Sequence, residues 1–191
     1  MTQAATNGAD RGSVAFLMAN EGIEQVELTE PWKAVQATGM RPVLIAAGAG
    51  TVQAFHHLDK GDTFHVDVTV ADARVGDYAA LVLPGGVANP DALRLDADAV
   101  AFVRDFVTSG ALVAAICHAP WSLIEADVVR GRTLTSWPSL RTDLTNAGAT
   151  WVDEQLVTCD AGPGPLVTSR KPDDLPAFCG ALTERLTGPA V

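Results

Sequence analysis

Positive charge is scarce in this 191-residue chain: 13 Lys and Arg stand against 23 Asp and Glu, a formal net charge of −10. No basic cluster is longer than Arg170-Lys171, so a sequence-independent grip on phosphate backbones is excluded and nucleic acid is not an expected partner. Long hydrophobic runs are also missing. No stretch of 18 or more apolar residues is present, which speaks against a membrane span and a membrane partner. Cysteine is sparse too, with Cys117, Cys159 and Cys179 in no paired or metal-like spacing, an odd number that fits a reducing compartment such as the cytoplasm better than a disulfide scaffold. His56, His57 and His65 have no ligand-like spacing to other His, Cys or carboxylates, so no metal is expected. Residues 1–12 are polar and small, without the basic start and apolar core of a secretory signal, and read as a tail. No repeat or low-complexity linker divides the rest, which reads as a single domain over residues 13–187.

What is abundant is apolar material in short bursts. Val14–Ala19, Pro42–Ala47, Ala79–Pro84 and Leu112–Cys117 read as buried strands of a parallel sheet, each followed by a turn. Val26 to Ala37 and Val100 to Val107 carry helical spacing and close at Gly39 and Gly110. Further on, Arg132–Ser136 reads as a strand, Pro138–Ala147 as a helix, and Thr150–Val152 with Leu156–Thr158 as a short antiparallel excursion. Leu166–Ser169 reads as the last strand, before a helix capped by Asp173 or Asp174 and running to Leu186. Gly48–Asp72 reads as a hairpin or edge strand. This alternation predicts an α/β fold, a doubly wound, mostly parallel sheet in a three-layer αβα sandwich.

In such a fold, ligands sit beyond the carboxyl ends of the strands, which gathers three loops at one place. Cys117-His118 ends one strand just before Ala119-Pro120, the pattern of a nucleophile elbow. A helix N-terminus lowers a thiol pKa, and His118 is placed to accept or return a proton; the alternative is a buried cysteine that simply packs. Gly85 and Gly86, with the N–H of His118, are candidate oxyanion donors, against the plainer reading of a turn. Glu21, Glu24 and Glu27 follow the first strand. The first two read as first-turn residues complementing the helix dipole, and Glu27, between Val26 and Leu28, as a carboxyl that stays protonated beside Cys117. Asp91 is a candidate to orient His118, or else a turn residue after Asn89-Pro90. Trp121 and Trp137 either line a pocket or pack in the core, whereas Cys159 and Cys179 read as structural.

Four segments in order, Asn20-Glu-Gly-Ile-Glu-Gln-Val-Glu27-Leu-Thr-Glu-Pro31, Leu83-Pro-Gly-Gly86, Ala115-Ile-Cys-His-Ala-Pro-Trp121 and Thr168-Ser-Arg-Lys-Pro-Asp-Asp-Leu175, closely resemble the PfpI branch of the DJ-one superfamily. The resemblance implies a flavodoxin-like sandwich with Cys117 as nucleophile, His118 as base or acid and Glu27 bonded to the cysteine. It also implies a homodimer or larger homo-oligomer in which an acidic residue, matched here by Asp91, completes a triad from a neighbouring subunit. This loop is one residue longer than in the peptidase pattern and carries Asp in place of Glu. The activity implied is that of a general stress-response protein with cofactor-independent glyoxalase or protein-deglycase chemistry on small reactive carbonyls. The alternatives are an intracellular cysteine peptidase, and a redox-sensing stress protein or holdase working through oxidation of Cys117.

Overall fold

The structure, a computed structural model, describes residues 12–188; the tail expected over residues 1–12 lies, except for Gly12, outside the described residues. In chain order the elements are β1 (Ser13–Met18), β2 (Glu21–Glu24), α1 (Gln25–Ala37), β3 (Arg41–Ala46), β4 (Thr51–His56), β5 (Asp59–His65), β6 (Val68–Thr69) and β7 (Tyr78–Leu83). There follow α2 (Ala88–Leu93), α3 (Ala97–Thr108), β8 (Leu112–Ile116), α4 (Pro120–Glu125), β9 (Thr133–Leu134), α5 (Arg141–Asn146), β10 (Thr150–Trp151), β11 (Leu156–Cys159), β12 (Leu166–Ser169) and α6 (Leu175–Thr187).

Seven strands form the central sheet in the order β11-β12-β8-β7-β1-β3-β6, all parallel except the edge pair β11 and β12. Buried on both faces, β1, β7 and β8 read as unbroken apolar runs for that reason. Alternate residues feed opposite layers. Ala15, Leu17, Leu81 and Leu83 pack with Phe102 and Phe106 of α3, while Val14, Phe16, Met18 and Val82 pack with Leu28 and Val35 of α1 and Phe178 and Leu182 of α6. Phe16 and Phe106, wholly buried on opposite faces, each contribute roughly 2–3 kcal/mol of apolar burial. The chain leaves β1 toward β3 on one side and later returns to β7 on the other, so the order in which strands are added reverses between the parallel neighbours β1 and β7. A cleft therefore opens at the carboxyl ends of β1, β7 and β8.

Several local expectations are corrected. Glu21 and Glu24 belong to strand β2, which pairs with β4, and not to the first turn of α1. The Gly48–Asp72 region supplies both alternatives: β4 and β5 make an antiparallel hairpin, and Val68–Thr69 adds an edge strand beside β3. Only Thr133–Leu134 of Arg132–Ser136 is a strand, and it pairs in parallel with Thr150–Trp151, so the expected pairing of Thr150–Val152 with Leu156–Thr158 does not form. Leu156–Cys159 instead gains the backbone partners of β12 at the edge of the large sheet. Asp174 occupies the N-cap position of α6 without capping it, because its carboxylate is taken by the Nε and backbone N–H of Arg170.

Candidate active site

Cys117 follows the last residue of β8 and has φ of 63°, in the left-handed region that a side chain other than glycine rarely adopts. The surroundings hold it there: its N–H donates to the Ser169 carbonyl at 3.0 Å, and its own carbonyl accepts from the Trp137 N–H at 2.9 Å. Cys117 and His118 are both buried. Sγ of Cys117 lies 3.2 Å from Nδ1 of His118, and the far nitrogen, Nε2, is 3.4 Å from Oγ of Ser139. The imidazole stacks on Trp137 with ring centres 5.6 Å apart, and Trp121 tilts against it at 5.3 Å. Burial lowers the pKa of His118 to about 4, so the ring is neutral at physiological pH and able to take a proton.

Glu27, in the first turn of α1, is wholly buried beneath the thiol. Its Oε2 accepts the Gly85 N–H at 2.8 Å, Oε1 has no hydrogen-bond partner, and the Cys117 thiol is a hydrogen-bonding neighbour of the carboxyl. Burial raises the pKa of this carboxyl to about 8, against the opposing hydrogen bonds from Cys117 and the glycine loop. Glu27 therefore holds its proton at neutral pH. Burial, and then the charge Glu27 carries once ionised, push the Cys117 thiol upward, while the N–H groups of Gly86 and His118 pull it down. The expectation of a thiol acidified by a helix end is corrected accordingly. α4 spans only six residues, and the donors that favour a thiolate belong to the two loops.

The glycine pair divides its duties. Gly85 is withdrawn from the oxyanion role because its N–H is spent on Glu27. Gly86, at φ of 79°, turns its N–H toward Cys117 as well as Glu27, and a side chain there would strike the Gly22 carbonyl and the Glu24 nitrogen. Sequence reading passed over the residue that fixes this loop, Asn89. Wholly buried, it accepts the Ala19 N–H at 2.7 Å and donates to the carbonyls of Pro84 and Gly85 at 2.9 and 3.0 Å. Asn89-Pro90 carried only a turn signal.

A cavity of about 330 Å³ opens over Cys117 and His118, with Trp137 in its wall. Trp121 is not part of that wall: it lies behind the imidazole, and its Nε1 donates to Asp143. Phe55, His57 and Leu58 from the β4–β5 hairpin also line the cavity, and no motif marked them. Asp91, in α2, is exposed and forms no hydrogen bond with His118, so within one chain the neutral hydroxyl of Ser139 takes the place expected for an acid. Among the described residues no group of three or more His, Cys, Asp or Glu side chains is placed to hold a metal ion. None of the described helices is long and apolar enough to cross a membrane.

A thiol on a strained elbow, with a neutral base, a protonated carboxyl and two N–H donors around it, sets the context for comparison with known proteins. Residues 12–185 match the DJ-1/PfpI family. The chain belongs to that family. An uncharacterized protein of Archaeoglobus fulgidus is 41% identical over 171 residues, covering 90% of this chain and 96% of the relative. Staphylococcus haemolyticus has a protein 40% identical over 175 residues, 91% of this chain and 96% of that one. Among solved structures, a two-domain Anabaena variabilis protein with DJ-1/ThiJ/PfpI-like and ferritin-like domains superposes with a TM-score of 0.83 at 33% identity, covering 92% of this chain. This chain spans 48% of that larger protein. Drosophila melanogaster DJ-1beta superposes with a TM-score of 0.80 at 27% identity, covering 93% of this chain and 91% of that one. The doubly wound sandwich described above is the flavodoxin-like fold of these DJ-1/PfpI proteins.

Proposed function

We propose that this DJ-1/PfpI protein is a cysteine-dependent enzyme of the stress response that converts small reactive carbonyls, with glyoxalase or deglycase chemistry. The observation that carries the reading is the placing of Cys117, His118 and Glu27 with the N–H groups of Gly86 and His118 around one small cavity. The thiol proton passes to Nδ1 of His118, and Sγ adds to the aldehyde carbon of a 1,2-dicarbonyl such as methylglyoxal. The new oxyanion rests on the two N–H groups and takes a proton from Glu27. Hydrogen then moves from the former aldehyde carbon to the ketone carbon through an enediol, leaving a lactoyl thioester on Cys117. Water hydrolyses the thioester, releasing lactate and restoring the thiol. Oxidation of one carbon is balanced by reduction of its neighbour, so the sum is methylglyoxal plus water to lactate and no cofactor enters. The adduct of a dicarbonyl with a protein amine or thiol enters at the same step once the aldehyde is regenerated: the adduct hydroxyl gives up its proton, the bond to the protein nitrogen or sulfur breaks, and the amine or thiol leaves with that proton. In this reading the protein works in the reducing cytoplasm as a homodimer or larger assembly. Methylglyoxal consumption with lactate formation by the parent, and its loss in Cys117→Ser, is the test; equal turnover by the two proteins overturns the proposal.

A second reading, a cysteine peptidase, draws on one observation: Asp91 is exposed while Nε2 of His118 faces only a neutral hydroxyl. An Asp91 contributed by another copy of the chain completes a Cys-His-acid relay in that reading. Casein hydrolysis that survives in a mixture of Cys117→Ser and Asp91→Asn proteins, each inactive alone, supports it; hydrolysis unaffected by Asp91→Asn removes it.

A further inference from the structure

The cavity over Cys117 is electrically one-sided. Its lining includes Glu24 and Glu27 and contains no Lys or Arg. Glu27 holds its proton, and His118 is neutral. Glu24 is the remaining carboxylate side chain of the wall, and the exposed imidazole of His57 is its neighbour there. The Glu24 side chain is 12% exposed, and Oε2 is tied by the His57 N–H at 2.9 Å, with Nδ1 of His57 at 3.6 Å. That tie comes from fold geometry. Glu24 ends β2 in register with Phe55 of β4, and the two-residue turn His57-Leu58 closes the β4–β5 hairpin directly above it. His57 has φ of 58°, which turns its N–H toward the carboxylate, and leaves Leu58 94% exposed at the cavity rim. The hairpin does not depend on Glu24 alone. Gln25 clasps Asp62 through both its amide oxygen and its amide nitrogen, each at 2.7 Å.

From this geometry we infer that Glu24 is a specificity-determining residue: the site admits neutral or cationic carbonyl compounds and rejects those bearing a carboxylate. A carboxylate carried one or two bonds from the carbon that meets Sγ must sit in this same small, largely apolar cavity. There the repulsion from Glu24 is weakly screened. Methylglyoxal and dicarbonyl adducts on amines or guanidines, neutral or carrying a proton after the adduct forms, pass, whereas 2-oxo acids such as glyoxylate are excluded. The inference rests on the proposal that Cys117 attacks a carbonyl substrate, but the charge filter acts on any reagent that reaches the thiol.

Alkylation of Cys117 by iodoacetamide and by iodoacetate, followed on the Cys117 peptide by mass, reads the filter without any turnover. The two reagents deliver the same carbon and differ in charge. In the parent, iodoacetamide is favoured; in Glu24→Gln the ratio of the two rates falls roughly tenfold, the scale of one partly screened charge at short range. Glu24 also raises the pKa of Glu27, which lines the same cavity, so the ratio is read at pH 6, well below the Glu27 value of about 8, where Glu27 keeps its proton. Glu24→Asp shortens the arm that reaches His57 while keeping the charge, and it retains the parent ratio within about twofold. An unchanged ratio in Glu24→Gln overturns the inference, as does an equal fall in Glu24→Asp, which assigns the effect to the hairpin. If parent protein leaves methylglyoxal untouched yet shows the charge-dependent ratio, the proposed reaction fails and the filter stands.

Discussion

Sγ of Cys117 and Nδ1 of His118 lie 3.2 Å apart although the two residues are consecutive. Neighbours in an extended strand point to opposite faces, so adjacency alone forbids this contact. The turn at Cys117, with φ of 63°, ends the alternation and brings both side chains to the cavity side. In the proposed reaction His118 receives the thiol proton without help from another segment of the chain. Replacing His118 with Ala is expected to lower kcat/KM for methylglyoxal by roughly 10² to 10⁴-fold, and Cys117→Ser by at least about 10²-fold, with thermal unfolding showing both variants folded.

In the proposed reaction the two perturbed groups set a pH window for activity. His118 must be neutral to accept the thiol proton, which requires a pH above its value of about 4. Glu27 must be protonated to donate, which requires a pH below about 8. A bell-shaped profile of kcat/KM with limbs near these values is expected. In Glu27→Gln, which is neutral at every pH, the alkaline limb near 8 disappears even though the maximum is lower.

The same carboxyl makes stability depend on pH. Unfolded, Glu27 titrates near 4.5; folded, near 8, so between these values the native state holds a proton that the unfolded chain has released. The contribution of Glu27 is fully present below pH 4.5 and is lost as pH rises through 8. By pH 7 the loss reaches about 3 kcal/mol, at 1.36 kcal/mol per pH unit. His118 acts in the opposite sense between 4 and 6.5, so the comparison is made between parent and Glu27→Gln, in which His118 is common. Urea unfolding from pH 5 to 8 is expected to show Gln gaining on the parent as pH rises; parallel curves refute the assignment.

Gly86→Ala places a methyl group against the Gly22 carbonyl and the Glu24 nitrogen at a positive φ. The loop has to shift, so both stability and the oxyanion donor suffer. A loss of at least about 1–3 kcal/mol in unfolding free energy is expected, together with a fall in kcat of on the order of 10²-fold.

Asn89→Ala removes one acceptor and two donors from a wholly buried position, leaving the Ala19 N–H and the Pro84 and Gly85 carbonyls without it. A destabilisation of roughly 2–4 kcal/mol is expected. Asn89 is not among the residues lining the cavity, so its effect on turnover is that of a positioning residue. Asn89→Asp, which keeps the acceptor for Ala19 but turns a buried carboxylate oxygen toward the Pro84 and Gly85 carbonyls, is expected to be at least as destabilising as Asn89→Ala and to recover little of the rate.

Much of this was legible in the chain because it is written locally. β1, β3, β7 and β8 are strands buried on two faces, so each is a continuous apolar run whose period needs no partner to be recognised. The short elements were harder. Thr133–Leu134 and Thr150–Trp151 are two residues each, too short for a pattern, and their pairing was settled by where the surrounding segments pack. At the site, Cys117 was visible from the strand that ends before it, and the burial of Glu27 from its apolar neighbours. Asp91 and Trp121 were read from position alone, and position alone does not say which way a side chain points.

The long buried strands, the elbow cysteine and the glycine pair follow from the chain alone, since each depends on residues adjacent in it. Tertiary structure alone decided which groups meet. Gly85 gives its N–H to Glu27 from 58 positions away, Asn89 binds Ala19 across 70, and Glu24 finds His57 across 33. Such contacts exist only because parallel strands carry all their carboxyl ends to one edge of the sheet, and the direction of a hydrogen bond formed there is set by packing that no local pattern encodes.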